Sequence, residues 1–385
     1  MPPEIFMGRK TELEKIESPS GVNIVYGGRQ LGKSALLRMA QKDVDRDENG
    51  DRAILIDIKG LDSKATARKI AEELYDQSII DDELPAEKAE DWHEIGRAIK
   101  NVLRNGNKHG KIPYLLLLLD EADVFIESCG DINYAPFDAL KDIQSVGSGR
   151  FKFVVAGLRN VVRFNKDIAL GNNSVLTHLD HVTVKPFKAA EARELLEVPL
   201  AYLGFRFPND SKTDMLISNI FGATNYFPGL LQMYCAKLIE AMKTDYAGYE
   251  QFDTPPYVIR EEHIKKALAD KSLEQQIREK FVITLKVDED DYYYQLALLV
   301  AFQYHNSNGH IDTTPKAILK TAEEYGMTKI AALSVGKLQA LLDEMTELNV
   351  FQRVGKEDYR FTRRNFLDMM GLPQEIDDKM LEYVE

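Results

Sequence analysis

The sequence predicts an α/β domain built on a parallel sheet, then a helical segment, then a smaller unit of three helices and a β-hairpin. Three observations lead there. The first half alternates short β-type runs with amphipathic helical patterns, the signature of βαβ units whose sheet is covered on both faces. One of those runs, Tyr114–Leu119, is apolar throughout, as a strand buried on both faces must be. The pattern then turns helical after Pro186-Phe187 and changes again near Val282.

The expected strands are Asn23–Tyr26, Ala53–Ile58, Tyr114–Asp120, Phe151–Ala156 and Val182–Val184. Helical spacing places helices over Ser34–Gln41, Ala65–Tyr75, Trp92–Leu103 and Phe137–Ile143. From Lys188 to about Lys271, Ala, Leu and Glu recur at 3.6-residue spacing with few strand signals, which reads as an all-α segment. Gly204–Asn209, Gly222–Gly229 and Pro255-Pro256 punctuate it. Beyond it, helices are expected at Tyr292–Gln303, Pro315–Tyr325 and Val335–Leu348, the second with proline in its first turn. Strands Val350–Val354 and Tyr359–Thr362 flank the charged turn Gly355-Lys356-Glu357-Asp358. Three helices followed by a hairpin is the winged-helix pattern. An acidic terminal helix is expected within Leu372–Glu385. The expected domains are therefore 1–185, 186–281, 282–371 and a tail, 372–385.

At 385 residues the chain can bury a large core without disulfides or metals. With 44% apolar and 29% charged residues, it is neither disordered nor fibrous. Its 49 basic and 62 acidic side chains give a net charge of −13, so nucleic acid could be held only by a local basic patch. Two cysteines, Cys129 and Cys235, build neither a zinc site nor a disulfide framework, and a reducing cytoplasm is expected. The N-terminus has no signal-peptide pattern. The most apolar run is six residues, against about 20 needed for a membrane span.

The first expected strand runs into Gly27-Gly28-Arg29-Gln30-Leu31-Gly32-Lys33-Ser34 and then a helix. This is GxxxxGK[ST] in the setting its chemistry needs. Glycines let the backbone turn its N–H groups toward phosphates, and the helix N-terminus adds partial positive charge. Lys33 would reach the β- and γ-phosphates, and the Ser34 hydroxyl would ligate Mg²⁺. Ala35 completes the nucleotide-contacting stretch. The apolar strand ends in Asp120-Glu121. Asp120 would hold Mg²⁺, and Glu121 would orient or deprotonate the attacking water. The same acids spell a helicase signature with Ala122-Asp123, but that family's second domain does not follow, so Asp123 reads as a loop acid or helix cap. The strand Phe151–Ala156 ends in Gly157-Leu158-Arg159-Asn160, where Arg159 or Asn160 could sense the γ-phosphate. Guanine-specific NTPases use N/T-K-x-D, and the nearest string here, Asn165-Lys166-Asp167-Ile168, lacks the final acid. Adenine is favoured.

At this point the residues resemble a family. Phe6-Met7-Gly8-Arg9-Lys10-Thr11-Glu12-Leu13 looks like the F-x-GR-x-x-EL box that opens AAA+-related ATPases of the STAND class and the archaeal origin-binding initiators. Gly27–Ser34, Asp120-Glu121 and Gly157-Leu158-Arg159 match their Walker A, Walker B and sensor-1 positions. Lys185-Pro186-Phe187 with Glu191-Ala192 resembles the start of the helical lid, and Phe227-Pro228-Gly229-Leu230 its proline motif. The resemblance implies a five-stranded P-loop sheet of order 5-1-4-3-2, with Phe6, Met7, Gly8, Arg9 and Pro228 beside the adenine. STAND lids read G-x-P, and here Tyr226 stands where glycine is expected. Arg163 is the candidate trans arginine finger. No repeat array or effector domain follows within the sequence.

The resemblance implies an ATP/ADP switch with slow hydrolysis, in which nucleotide exchange moves the lid and winged helix to control assembly or signalling. The expected partners are ATP or ADP with Mg²⁺, and a second copy or a protein effector. The competing reading is an initiator-like ATPase whose winged helix binds duplex DNA. Charge discriminates: on the third helix of the hairpin unit, Lys337, Asp343, Glu344 and Glu347 sum to −2, which phosphates would avoid. The wing carries Arg353, Lys356, Arg360, Arg363 and Arg364 against Glu357 and Asp358. Signalling is favoured. A catalytically dead scaffold is disfavoured by the intact Lys33, Ser34, Asp120 and Glu121.

Other groups are blander. His178 and His181 with Asp180 could bind metal but read as a loop before the fifth strand. Trp92 reads as core and His93 as surface. Asp288-Glu289-Asp290-Asp291 reads as a solvated linker or a helix N-terminus.

Overall fold

A computed structural model describes residues 6–46, 49–158, 179–244, 255–286, 290–306, 311–355 and 357–384. They fall into two compact units. The first holds the described residues of Met1–Gly27 and Gly32–Val184, and the second those of Gly28–Leu31 and Lys185–Glu385.

In the first unit, β1 (Ile24–Tyr26), β2 (Arg52–Asp57), β3 (Leu115–Asp120), β4 (Phe151–Gly157) and β5 (His181–Thr183) form one sheet of order β2-β3-β4-β1-β5. Every pairing is parallel. Read from the other edge, this is the expected 5-1-4-3-2. Every residue of β3 and β4 is buried, which is why their sequences show no polar alternation. The helices are α1 (Lys10–Glu17), α2 (Lys33–Asp45), α3 (Ser63–Asp76), α4 (Ala86–Ala89), α5 (Trp92–Asn105), α6 (Asp123–Asp131) and α7 (Ala135–Val146). Asp62 and Asp91 cap α3 and α5 by accepting from the N–H groups of Ala65 and His93. Trp92, Phe125, Phe137 and Phe153 form a chain of ring contacts under the sheet, with centroids 5.6, 5.5 and 6.3 Å apart. The Trp92 indole donates to Ser63 Oγ at 3.1 Å, so its polar edge is satisfied inside that core.

The second unit is mostly helical over Ala189–Tyr202, Ser211–Thr224, Pro228–Thr244, Glu261–Leu268 and Lys271–Leu285. It departs from the all-α expectation at β6 (Phe205–Arg206) and β7 (Tyr257–Val258), which pair in parallel. The turn at Gly204 and the Pro255-Pro256 turn bring two-residue segments together, and the Phe205 and Tyr257 rings meet at 5.9 Å. Segments this short carry no periodicity to read.

The chain continues as helices Tyr292–Asn306, Pro315–Tyr325, Thr328–Ala331 and Val335–Glu347, then the antiparallel hairpin β8 (Phe351–Val354) and β9 (Asp358–Phe361). Helices Arg364–Met370 and Pro373–Leu381 close it. Tyr293–Ala301 is buried on all sides, so the Tyr292–Asn306 helix is the centre of this part. The acids before it are not simply solvated: Asp290 pairs with Lys329 at 2.7 Å and Asp291 accepts from the Tyr383 hydroxyl at 2.8 Å. Asp288 and Glu289 lie outside the described residues. Among the described residues, no helix is long and apolar enough to cross a membrane. Both cysteines are free.

Candidate functional site

The glycine-rich loop begins where β1 ends. Gly27 must be glycine, because a Cβ there would lie 2.4 Å from the Val184 carbonyl oxygen. The chain then passes through left-handed conformations at Gln30 (φ 63°) and Gly32 (φ 88°) before α2 starts. Glycine takes that conformation freely, whereas glutamine is strained in it. The first intrahelical bond runs from the Leu36 N–H to Gly32 O, so the amides of Ser34 and Ala35 precede the helical ladder. Lys33 is only 8% exposed, and its Nζ donates to Gly27 O at 2.9 Å. Its cation is thus folded back over the loop it would serve. Leu31 is buried, and Arg29, Ser34 and Ala35 are half-buried.

The acidic tip sits level with the loop. Leu119 and Ile24 are both in register with Val155, so the ends of β3 and β1 flank β4. Adjacent strands lie about 4.8 Å apart, which puts the two motifs roughly 10 Å from each other at backbone level. Asp120 is 6% exposed, accepts from the Glu121 N–H at 3.0 Å and forms no ion pair with any described residue. Glu121 is in the left-handed region (φ 58°), an unusual conformation for a side-chain-bearing residue and one common at working sites. Asp123 is the first residue of α6 and accepts from the Leu158 N–H at 2.7 Å. It therefore ties the Walker B turn to the end of β4. Arg159, Asn160, Arg163 and His178 lie outside the described residues. His181 begins β5 and stacks on Tyr26 at 5.5 Å. Among the described residues, no cluster could hold a metal through three His, Cys, Asp or Glu side chains.

The opening box is also in the first unit. Gly8 (φ 66°) and Arg9 (φ 62°) turn the chain into α1. Arg9 is buried and donates to Glu12 at 3.3 Å, while Phe6, Met7 and Gly8 are half-buried. The other end of α1 is fixed by an unforeseen residue. Lys152, on β4, is 0% exposed, and its Nζ donates to Lys15 O at 2.8 Å and Ser18 O at 2.6 Å. Burial lowers its pKa to about 7, and burial with the neighbouring Asp43 raises that of Glu17 to about 7.

The proline motif lies in the second unit with the loop tip Gly28–Leu31. Pro228 starts its helix, and the next residue, Gly229, donates its N–H to Gln30 O at 3.1 Å. Asn225 (φ 50°) and Tyr226 (φ 60°) are both left-handed. The residue standing in the glycine position therefore adopts the conformation a glycine would take. The Arg363 guanidinium lies 4.7 Å from its ring centroid.

The charge argument for the hairpin part needs correction. Glu344 is buried and accepts from the Tyr293 hydroxyl, and Asp343 accepts from the Tyr359 hydroxyl at 2.7 Å. Glu344 is therefore interior, and the half-buried Asp343 is engaged by Tyr359. Arg353 and Arg364 are exposed, with their guanidiniums 5.8 Å from the ring centroids of Tyr359 and Tyr304, and Arg360 and Arg363 are half-buried. Lys356 lies outside the described residues.

No family model matches this sequence, and no curated protein does. Solved structures do. A Walker-type ATPase of Pyrococcus abyssi is 15% identical, with 96% of this chain and 97% of that chain covered and a TM-score of 0.63. The ORC2 protein of Aeropyrum pernix, in its ADPNP–ADP complexes, is 16% identical over 99% and 96% of the two chains, with a TM-score of 0.59. Its ADP form gives a TM-score of 0.52. The likeness extends along nearly the whole chain, which shares its fold with this Walker-type ATPase and with ORC2.

Proposed function

We propose that this protein is an ATP-binding, slowly hydrolysing switch of the STAND/AAA+ kind, in which exchange of ADP for ATP moves a helical lid and a winged helix to control self-association or an effector. The observation that carries this reading is the pair of buried charged residues at the ends of the two strands that flank β4, Lys33 after β1 and Asp120 at the end of β3. Burying the Asp120 carboxylate is costly without a cation to compensate it. Phosphates would draw Lys33 Nζ away from Gly27 O. The buried Asp120 carboxylate, which has no ion-pair partner among the described residues, fits a divalent cation together with the Ser34 hydroxyl. Mg²⁺ held there would neutralise phosphate charge. Glu121 would orient and deprotonate water, and Arg159 would sense the γ-phosphate. Phe6–Arg9 and Pro228 would border adenine.

Signalling is preferred over DNA binding because Arg363 lies 4.7 Å from the Tyr226 ring centroid of the same chain, and Arg353 and Arg364, though exposed, lie 5.8 Å from those of Tyr359 and Tyr304. A switch must bind its two nucleotides with different affinity in its two states. Small-angle scattering of the Glu121→Gln protein with ADP, then with a non-hydrolysable ATP analogue, should show opening or self-association. Identical profiles in both nucleotides would remove the switch.

A further inference from the structure

Three elements of the first unit meet at the C-terminal end of α1, and each brings a titratable side chain. Glu17 is the last residue of α1, Asp43 lies in α2 and Lys152 in β4. Lys152 is fully buried, and its Nζ reaches Lys15 O and Ser18 O, the carbonyls on either side of Glu17 in the chain. Gly21 closes the turn behind them: a Cβ there would lie 1.8 Å from Lys15 O and 2.9 Å from Lys152 Nζ. The Glu17 side chain is half-buried and its carboxyl is hydrogen-bonded to that of Asp43, while its Oε1 is buried without a partner.

Two carboxyl groups can share a hydrogen bond only if one of them carries the proton. The orphaned Oε1 points the same way, because a buried carboxylate oxygen with no donor is costly. Asp43 and the exposed Glu14, one turn back on α1, both disfavour a negative Glu17, whereas the Lys152 ammonium favours it. Tyr114 adds no charge: burial raises its pKa above the usual range, and its hydroxyl donates to the backbone Glu17 O at 3.1 Å. The end of α1 is thus held to α2 through a protonated carboxyl pair and to β4 through a buried amine.

We propose that Glu17, Asp43 and Lys152 form a latch that holds α1 against α2 and β4, and that the protons on these groups set how tightly it holds. The helix starts directly after the box Phe6–Arg9, so whatever frees α1 frees the box. Opening the latch puts Glu17 in water and takes the end of α1 off Lys152. Burial, then Asp43, raises the docked Glu17 from 4.5 to about 7, so opening releases a proton between these values and grows easier as pH rises. Burial lowers the docked Lys152 from 10.5 to about 7, so above pH 7 opening takes up a proton and grows harder as pH rises. A neutral amine still has an N–H for each of its two carbonyls. The hold on α1 is therefore weakest near pH 7.

The test is amide hydrogen exchange of the full chain between pH 5 and pH 9, corrected for the intrinsic exchange rate, comparing α1 with the core strand β3. Protection of α1 should lie below that of β3 at every pH, because the latch opens without the rest of the unit. It should fall by roughly tenfold per pH unit up to pH 7 and recover at a similar rate above it, one proton being exchanged on each limb. Glu17→Gln keeps a neutral donor for Asp43, so it should flatten the acid limb and spare the alkaline one. Lys152→Met should flatten the alkaline limb and spare the acid one. Should a variant fail to fold by circular dichroism, the parent's own profile decides. A parent profile flat in pH overturns the proposal, as does protection of α1 equal to that of β3 throughout. So does a folded variant that keeps both limbs.

Discussion

Replacing Lys152 by Met should leave the first unit as stable as before or more so near neutral pH, and should remove a rise in stability toward alkaline pH. Lys152 is fully buried, and burial moves its pKa from 10.5 to about 7. At 1.36 kcal/mol per pKa unit, that displacement corresponds to a cost on the order of 5 kcal/mol below pH 7. Between pH 7 and 10.5 the unfolded chain holds a proton that the folded chain has released, so stability rises with pH across this window. Glu17 has the opposite sign. Its folded pKa is raised to about 7, so its contribution is full below 4.5 and is lost as pH rises through 7. Methionine matches the shape of lysine without its charge. It orphans neither acceptor, because Lys15 O also receives the Val22 N–H at 3.0 Å and Ser18 O the Gly21 N–H at 2.8 Å. Swapping buried charge for packed apolar atoms is commonly neutral or stabilising by about 1–4 kcal/mol. The assay is urea unfolding at pH 6.5, 8 and 9.5, followed by fluorescence of Trp92, the single tryptophan, which lies in the first unit's core. Parent and variant curves that run parallel in pH, or a variant weakened by more than about 3 kcal/mol at every pH, would refute the reasoning.

Lys33→Ala should lower ATP and ADP affinity about tenfold to a hundredfold by calorimetry, since a charge-assisted contact is worth about 1.5–3 kcal/mol; unchanged affinity in a folded variant removes the P-loop assignment. Glu121→Gln should bind ATP as the parent does yet fail to release phosphate in a single-turnover assay, and turnover at the parent rate would show that Glu121 is not the base. Duplex DNA should bind weakly at physiological salt and no tighter with ATP than with ADP. Each neutralised phosphate adds about −0.9 to the slope of log affinity against log salt. Submicromolar, ATP-dependent binding lost on Arg353→Ala would favour the initiator reading.

The sheet was legible because its signals are local. β3 is an unbroken apolar run closed by an acid pair, and β1 runs directly into a GxxxxGK[ST] loop. Helices α1, α4 and α6 were not foreseen. The second is four residues long, the first is eight and lacks a side-chain cap, and the third starts inside the Walker B turn. Lys152 was invisible for a different reason. A lysine in a strand pattern reads as an edge or surface residue, and only the fold brings two carbonyls from the end of α1 onto its ammonium. The third helix of the hairpin part was misread similarly: counting charges along Val335–Glu347 treats every acid as outward, yet Asp343 and Glu344 each accept from a tyrosine hydroxyl.

Tyr226 shows how a motif mismatch can be informative. A glycine in its place would reach φ 60° without steric cost, whereas an L-residue pays roughly 1–2 kcal/mol for the left-handed region. The backbone bond from the Phe187 N–H to Tyr226 O does not depend on the side chain. What does depend on it is the ring, which lies 5.4 Å from Phe221 on one side and under the Arg363 guanidinium on the other. The strain is therefore offset by contacts that glycine could not make. The departure from G-x-P leaves the left-handed turn before Pro228 intact and adds to it a handle for the hairpin. The turn before Pro228 and Arg363 are thereby joined directly, through side chains of one compact unit.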